Sequence, residues 1–351
     1  MTKAASLALC GLILACSDSL PPASAVTDLR AVAARVDLPS MPGRANPSPN
    51  DDTEVSILVI DRGAPPSEDP AIPALTPPLL QWEFVPCIPA PTRFGTPVCQ
   101  TPIQPCEGCA GAPPVDPRAT PVLRFQVPSA DALDAAQASS IIVQGAICAD
   151  GPPAPLDAIL RFVLGETDVL DPCEDPELEG RFITVEIPIE DDPEDPNLNP
   201  EIASVTLDGR PWPPPYDQGV PRTAPRTGCA SDLADLTDEE RMVHPTAGSA
   251  SSTVNLFVTP DSLQPYTQND EQLIEEIQVS WLADGGGFES SFSFITDPAR
   301  SALISWLPPG DVPNDGLLAR FTFVIRDGRG GTDSFEKGLC ILPPSPTRLP
   351  P

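Results

Sequence analysis

Cys106-Glu107-Gly108-Cys109 is the one spacing in this chain that reads directly as chemistry. Two cysteines separated by two residues suit disulfide exchange, or half of a metal site, when a helix amino terminus or a nearby cation lowers a thiol pKa. Here Pro105 precedes the pair and a Gly/Pro-rich stretch follows it. No such helix is expected, so the pair reads as a structural disulfide. The only histidine, His244, nearly closes off Ser-His-Asp and Cys-His catalysis. It stands beside Pro245 in a polar stretch and reads as exposed. The 50 Asp and Glu residues offer carboxylate pairs by number alone. A glycosidase needs two at a fixed separation beside a cleft, usually with aromatic platforms. Aromatics make up only 5% of the chain, and Trp82 and Trp281 read as core. The sequence nominates no catalytic residue, and the expectation is a protein that is not an enzyme.

Strands have to hold these residues. The 50 prolines nearly exclude long helices, because an interior proline costs about 3 kcal/mol. With 23 glycines, the Pro and Gly content still falls short of a disordered composition. Apolar alternation at period two marks residues 54–61, 80–84, 122–127, 182–189, 254–258, 277–281, 292–294 and 320–326 as strands. The apolar runs 140–148 and 159–164 read as buried strands. Ser129 is placed to cap a short helix, and Thr237-Asp238-Glu239-Glu240 has capping-box spacing.

The first sixteen residues, MTKAASLALCGLILAC, carry one lysine and then an apolar run of signal-peptide length, too short to span a bilayer. Ile13-Leu14-Ala15-Cys16 resembles the lipobox of bacterial lipoproteins. The resemblance implies cleavage before Cys16, a diacylglycerol on its thiol and acylation of the new amino terminus. The other reading is an ordinary secretory signal cut near Ala15 or around Ser24-Ala25. Ser17, where Asp would retain a Gram-negative lipoprotein in the inner membrane, leans towards the outer membrane. Cys10 leaves with the leader and Cys16 takes the lipid. Cys87, Cys99, Cys106, Cys109, Cys148, Cys173, Cys229 and Cys340 then remain as disulfide cysteines. The last two, alone in the second half, are expected to pair; pairing of the other six stays open.

A short first strand, a strong second strand ending at Asp61 and a third carrying Trp82 resemble the Ig-like domains of bacterial surface lipoproteins. The ending, Arg320 to Arg326, then Asp327-Gly328-Arg329-Gly330-Gly331, then Thr332 to Leu342, resembles the final hairpin of cadherin-like and PKD-like modules. These resemblances imply an all-β chain of two Ig-like β-sandwich domains in tandem. The expected order is a signal peptide 1–15, a lipidated tether 16–27, domain 1 over 28–190 with a Cys-rich loop 86–118, an acidic Pro-rich linker 191–200, domain 2 over 201–342 and a disordered tail 343–351. Within the linker, Asp195, Asn197 and Asn199 are similar to the D-x-N-x-N calcium linker of cadherins. The resemblance implies a calcium site there, set against a plain solvated spacer; no other cofactor is expected.

The formal charge is −30, which argues against a nucleic-acid partner. The expected partners are the membrane through the lipid anchor, and an envelope protein or glycan. The leading function is a non-catalytic binding or structural role at the cell surface or in the periplasm. The alternative is an accessory subunit of a secretion or motility machine, and third comes a hydrolytic enzyme with an unidentified site.

Overall fold

The computed structural model describes residues 23–61, 79–91, 97–110, 120–167, 170–190, 196–221, 224–268, 270–296 and 299–344. Cys16, the signal peptide 1–15, Asp195 and residues 345–351 of the tail lie outside the described residues. What is described is mostly β, in several antiparallel sheets.

Among the described residues the amino-terminal half has eight strands: β1 (Arg30–Asp37), β2 (Asp52–Ile60), β3 (Leu80–Pro89), β4 (Cys99–Pro102), β5 (Cys106–Glu107), β6 (Val122–Gln126), β7 (Ser140–Ala149) and β8 (Gly180–Pro188). They form two sheets, ordered β1-β2-β6-β5 and β4-β3-β7-β8. Alternation puts Val55, Ile57, Leu123 and Phe125 of the first against Trp82, Phe84, Ile141 and Val143 of the second, in a sandwich-like core. Helix α1 (Ala130–Ala136) begins after Ser129 as expected, but the Ser129 side chain makes no capping hydrogen bond.

The apolar run at 159–164, expected as a strand, is instead helix α2 (Leu156–Val163). Its apolar residues Leu156, Ile159, Leu160 and Val163 follow helical spacing, which apolar content alone conceals. Ile159 and Val163 cover Val85, Cys87, Ile142 and Ala146 on the outer face of the second sheet. Cys87, expected beyond the third strand, lies within β3.

The carboxy-terminal half has β9 (Ile202–Leu207), β10 (Arg210–Pro211), β11 (Ser252–Val258), β12 (Pro265–Gln268), β13 (Glu271–Ile274), β14 (Ile277–Ala283), β15 (Gly287–Phe288), β16 (Phe292–Ile295), β17 (Ser301–Leu307), β18 (Leu317–Arg326) and β19 (Thr332–Ile341), with the one-turn helix α3 (Asp238–Arg241). The sheets β10-β9-β11-β17-β15 and β16-β14-β18-β19 enclose a second core. Trp281, Trp306, Phe321 and Phe323 are fully buried there, with edge-on ring contacts such as Trp306 to Phe321 at 5.0 Å. The hairpin β18–β19 pairs in unbroken register from Leu317↔Ile341 to Arg326↔Thr332 around the glycine turn. Thr237 and Glu240 form the expected capping box at α3.

The eight cysteines form four disulfides: Cys87–Cys99, Cys106–Cys109, Cys148–Cys173 and Cys229–Cys340. The first joins neighbouring strands of one sheet, β3 and β4, and does not cross the sandwich. The sequence separations, 111 for Cys229–Cys340 and 3 for Cys106–Cys109, set their entropic weight. The paired substitution C229S/C340S is expected to cost about 4–5 kcal/mol and C106S/C109S about 2 kcal/mol, since closure entropy grows with loop length. Guanidinium denaturation of the two variants checks the ranking.

Candidate functional site at the joint between the halves

The residues of highest chemical content converge where the two halves meet. The sequence Asp327-Gly328-Arg329-Gly330-Gly331 folds its backbone around the Asp327 carboxylate. Oδ1 accepts from the N–H groups of Arg329 (2.7 Å), Gly330 (3.0 Å) and Gly331 (2.9 Å). Oδ2 accepts from Gly331 N–H (3.1 Å) and from Asn197 Nδ2 (3.0 Å). Glycine is required at two of these positions. Gly330 has φ +125°, which L side chains rarely adopt, and a Cβ on Gly331 would collide with Asp327 Oδ2. Burial pushes the Asp327 carboxyl up, and the bonds it accepts oppose that.

The side chain leaving this turn brings a guanidinium into the joint. Arg329 Nη1 bonds Glu275 Oε1 at 2.8 Å, and Nη2 bonds Glu190 Oε1 at 3.2 Å. Its guanidinium also lies 4.8 Å from the Tyr266 ring centre. Glu275 is held in place by Gln264 N–H at 3.1 Å, and Gln264 Oε1 accepts from Leu198 N–H at 2.8 Å. Burial, with Asp327 nearby, pushes the Glu275 carboxyl up to about 7, against the pull of Gln264 N–H and Arg329. Glu190 and Glu275 share this guanidinium.

The sequence proposed Asp195, Asn197 and Asn199 as calcium ligands, and Asp195 lies outside the described residues. Asn197 is fully buried, with its Nδ2 spent on Asp327 and its N–H on Glu190 Oε2 at 3.1 Å. Asn199 donates to Val36 O at 2.7 Å and accepts from Thr332 N–H at 2.9 Å. Both amides therefore tie the linker to the two halves. Among the described residues no group of three or more His, Cys, Asp or Glu is arranged to hold a metal ion. Sequence reading missed Glu190, Glu275, Arg329 and Asn46, whose Nδ2 bonds Arg329 O at 3.0 Å. Arg329 is 139 residues from Glu190 and 54 from Glu275, so no local pattern links them. The one local signal is Asp327 ahead of Gly328, Gly330 and Gly331, a pattern that by itself indicates only a turn.

Sheets also meet at this joint. Leu282 and Val324, on the outer face opposite Trp281 and Phe323, pack with Val26 and Ile60. Arg35 Nη1 pairs with Asp333 at 3.1 Å, and Arg326 donates to Val32 O. A cavity of about 180 Å³ here is lined in part by Asp61, Arg320, Thr322 and Glu336. Burial raises the Glu336 carboxyl, Arg320 opposes that and Asp61 adds to it.

His244, expected to be exposed, is buried at 4% exposure. Its Nδ1 lies 3.2 Å from Cys340 O and its Nε2 2.9 Å from Pro214 O. It braces the segment near the Cys229–Cys340 bridge, and burial lowers its pKa. Cys106–Cys109 sits at the edge strand β5, with Trp82 Nε1 donating to Gly108 O at 2.9 Å.

Comparison of the chain with protein-family models and with curated proteins gives no match.

G331A is expected to lower stability by roughly 2 kcal/mol or more, by displacing the Asp327 carboxylate. G287A, where a Cβ meets nothing within 4 Å, is expected to stay within about 0.5 kcal/mol. Urea titration of both reads this out. The Glu275 carboxyl has a higher pKa folded than its ordinary 4.5. Its stabilising contribution is therefore full below about pH 4.5 and lost as pH rises through about 7. E275Q is expected to remove that decline, seen as a smaller fall in denaturation midpoint between pH 5 and pH 8 than wild type shows.

Proposed function

We propose that this chain is a lipid-anchored, non-catalytic protein of the bacterial outer membrane, with a binding or structural role at the cell surface or in the periplasm. It consists in this reading of two Ig-like β-sandwich domains joined rigidly behind an acylated Cys16. The observation that carries the non-catalytic reading is the joint. Asp327, Arg329, Glu275, Glu190, Asn197 and Asn199 all bond protein partners and hold two halves together. The anchor rests on the Ile13-Leu14-Ala15-Cys16 pattern. Four disulfides suit an oxidising compartment outside the cytoplasm. The two sandwich-like sheet pairs, with Trp82 of β3 and Trp281 of β14 in their cores, favour the Ig-like assignment. Loops at the ends of such sandwiches are the usual contact sites, and the Cys-rich segment 86–118, expected as one loop but carrying the end of β3 with β4 and β5, is the first choice for a glycan or protein ligand.

Mild cross-linking in whole cells, followed by purification through a tag after Pro351 and mass spectrometry, tests this. The expected result is an acylated Cys16 as the amino terminus, with polysaccharide or no fixed protein set retained. A stoichiometric set of envelope proteins would instead make the chain an accessory subunit of a secretion or motility machine. An unmodified amino terminus further along would make it a soluble secreted protein.

A further inference from the structure

We propose that Phe292 and Phe294, on the outer side of β16, rest on the zwitterionic phospholipid surface that holds the acyl chains of Cys16. This inference builds on the lipid-anchored reading above. It begins from an oddity of register. In β16 the inward positions are satisfied: Ser293 Oγ accepts from Trp281 Nε1 at 2.8 Å, and Ile295 is fully buried. The alternate positions therefore turn outwards, and both are phenylalanine, 48% and 51% exposed. Their rings meet edge-on at 5.7 Å. β16 is an edge strand, where soluble proteins commonly place charge. On the bordering strand β17, Leu303 is 63% exposed. In a chain of net charge −30, an aromatic edge of this kind is the exception.

The position of the amino-terminal segment selects the occupant. β18 takes one edge of β14 along Gln278–Ala283, and β16 takes the other along Ile277–Ser280. Beyond Ser280 that second edge is completed by Ser24 to Val26. Ala25 bridges Ala283 in parallel, with Val26 N–H to Ala283 O at 2.8 Å and Ala283 N–H to Ser24 O at 2.9 Å. A parallel bridge means the chain reaches Ser24 from the side of β14 where Ser280 and its partner Phe292 lie. Ser280 and Ala283 are separated by about 10 Å at the usual rise of a strand. Seven further residues lead from Ala23 back to Cys16, at most about 25 Å of extended chain. An acyl anchor on Cys16 thus confines this edge of the protein, with its two phenylalanines, to the neighbourhood of the bilayer. Tethering makes the contact intramolecular, so a patch of two or three side chains suffices. The acidity of the chain directs it to zwitterionic and not anionic lipid.

The test uses the full acylated chain in phosphatidylcholine/phosphatidylethanolamine vesicles carrying brominated acyl chains, which quench nearby indoles. All four native tryptophans are buried, so wild type supplies a low baseline. F294W is expected to lose at least half of the added emission. L164W, on the amino-terminal half and away from β16, is expected to lose none. A chain that floats with the vesicles while F294W is quenched no more than wild type overturns the contact and leaves the anchor standing. A chain that does not float and carries no acyl group overturns both. A second copy is the other candidate occupant. If an acyl-free C16S chain sediments as a dimer that F292S/F294S returns to monomer, the patch is a self-association surface and the lipid proposal falls.

Discussion

A buried carboxylate sets the geometry on which the two halves depend. Asp327 is taken out of water by the packing of the linker over the β18–β19 turn, and a desolvated charge must be compensated locally. Three backbone N–H groups and the Asn197 amide do this. Aiming those N–H groups at one carboxylate requires glycine at 330 and 331 and sends the Arg329 side chain towards the linker. That single direction brings the guanidinium between Glu190, at the end of the amino-terminal half, and Glu275, in the carboxy-terminal half. The turn therefore dictates both the ending of a hairpin and the relative placement of two cores.

Charge at this joint is unequal by construction. Glu190 and Glu275 share Arg329, while Asp327 is met by backbone and amide dipoles. The arrangement explains why the Glu275 carboxyl is held up to about 7 although it lies 2.8 Å from a guanidinium. Desolvation and the neighbouring acid outweigh one shared cation. A joint made this way is rigid at the cost of pH sensitivity, whereas an apolar joint of the same volume would be insensitive to pH. The apolar part is small, with Val26, Ile60, Leu282 and Val324 at its centre. Direction is thus specified by polar bonds, with burial adding to them.

Strands were legible wherever one face is buried and the other wet. Val55, Ile57 and Val59 in β2, and Phe321, Phe323 and Ile325 in β18, announce themselves by period two. β17 carries the same period through Ala302, Ile304 and Trp306. α2 reads as a strand if its apolar residues are taken as a run, although their spacing is helical. The Cys229–Cys340 bridge followed from there being no other cysteine in that half. The joint was legible only in part. Asn197 and Asn199 stand out in the sequence as oxygen ligands, whereas the partners of their amide nitrogens and of Asn199 Oδ1, namely Asp327, Val36 and Thr332, lie far away in it. His244 shows the same limit. Its polar neighbours suggest exposure, and only the return of Cys340 and Pro214 on either side of the ring buries it.

The path of the amino-terminal segment then constrains how force or contact reaches the two halves. Residues 24–26 complete an edge of the carboxy-terminal sheet before the chain enters β1. Anything attached ahead of Ser24 therefore acts first on the half that is later in sequence. β1 then runs against the outer face of that same sheet, with Arg35 on Asp333 and Val32 O on Arg326. The amino-terminal half hangs from contacts on both sides of its first strand, at Val26 and at the Asp327 turn. Separating the halves would expose the Leu282–Val324 face and strand the Glu190, Glu275 and Arg329 charges together. The two cores are thus coupled at both ends of β1, and a tether attached at either half moves both.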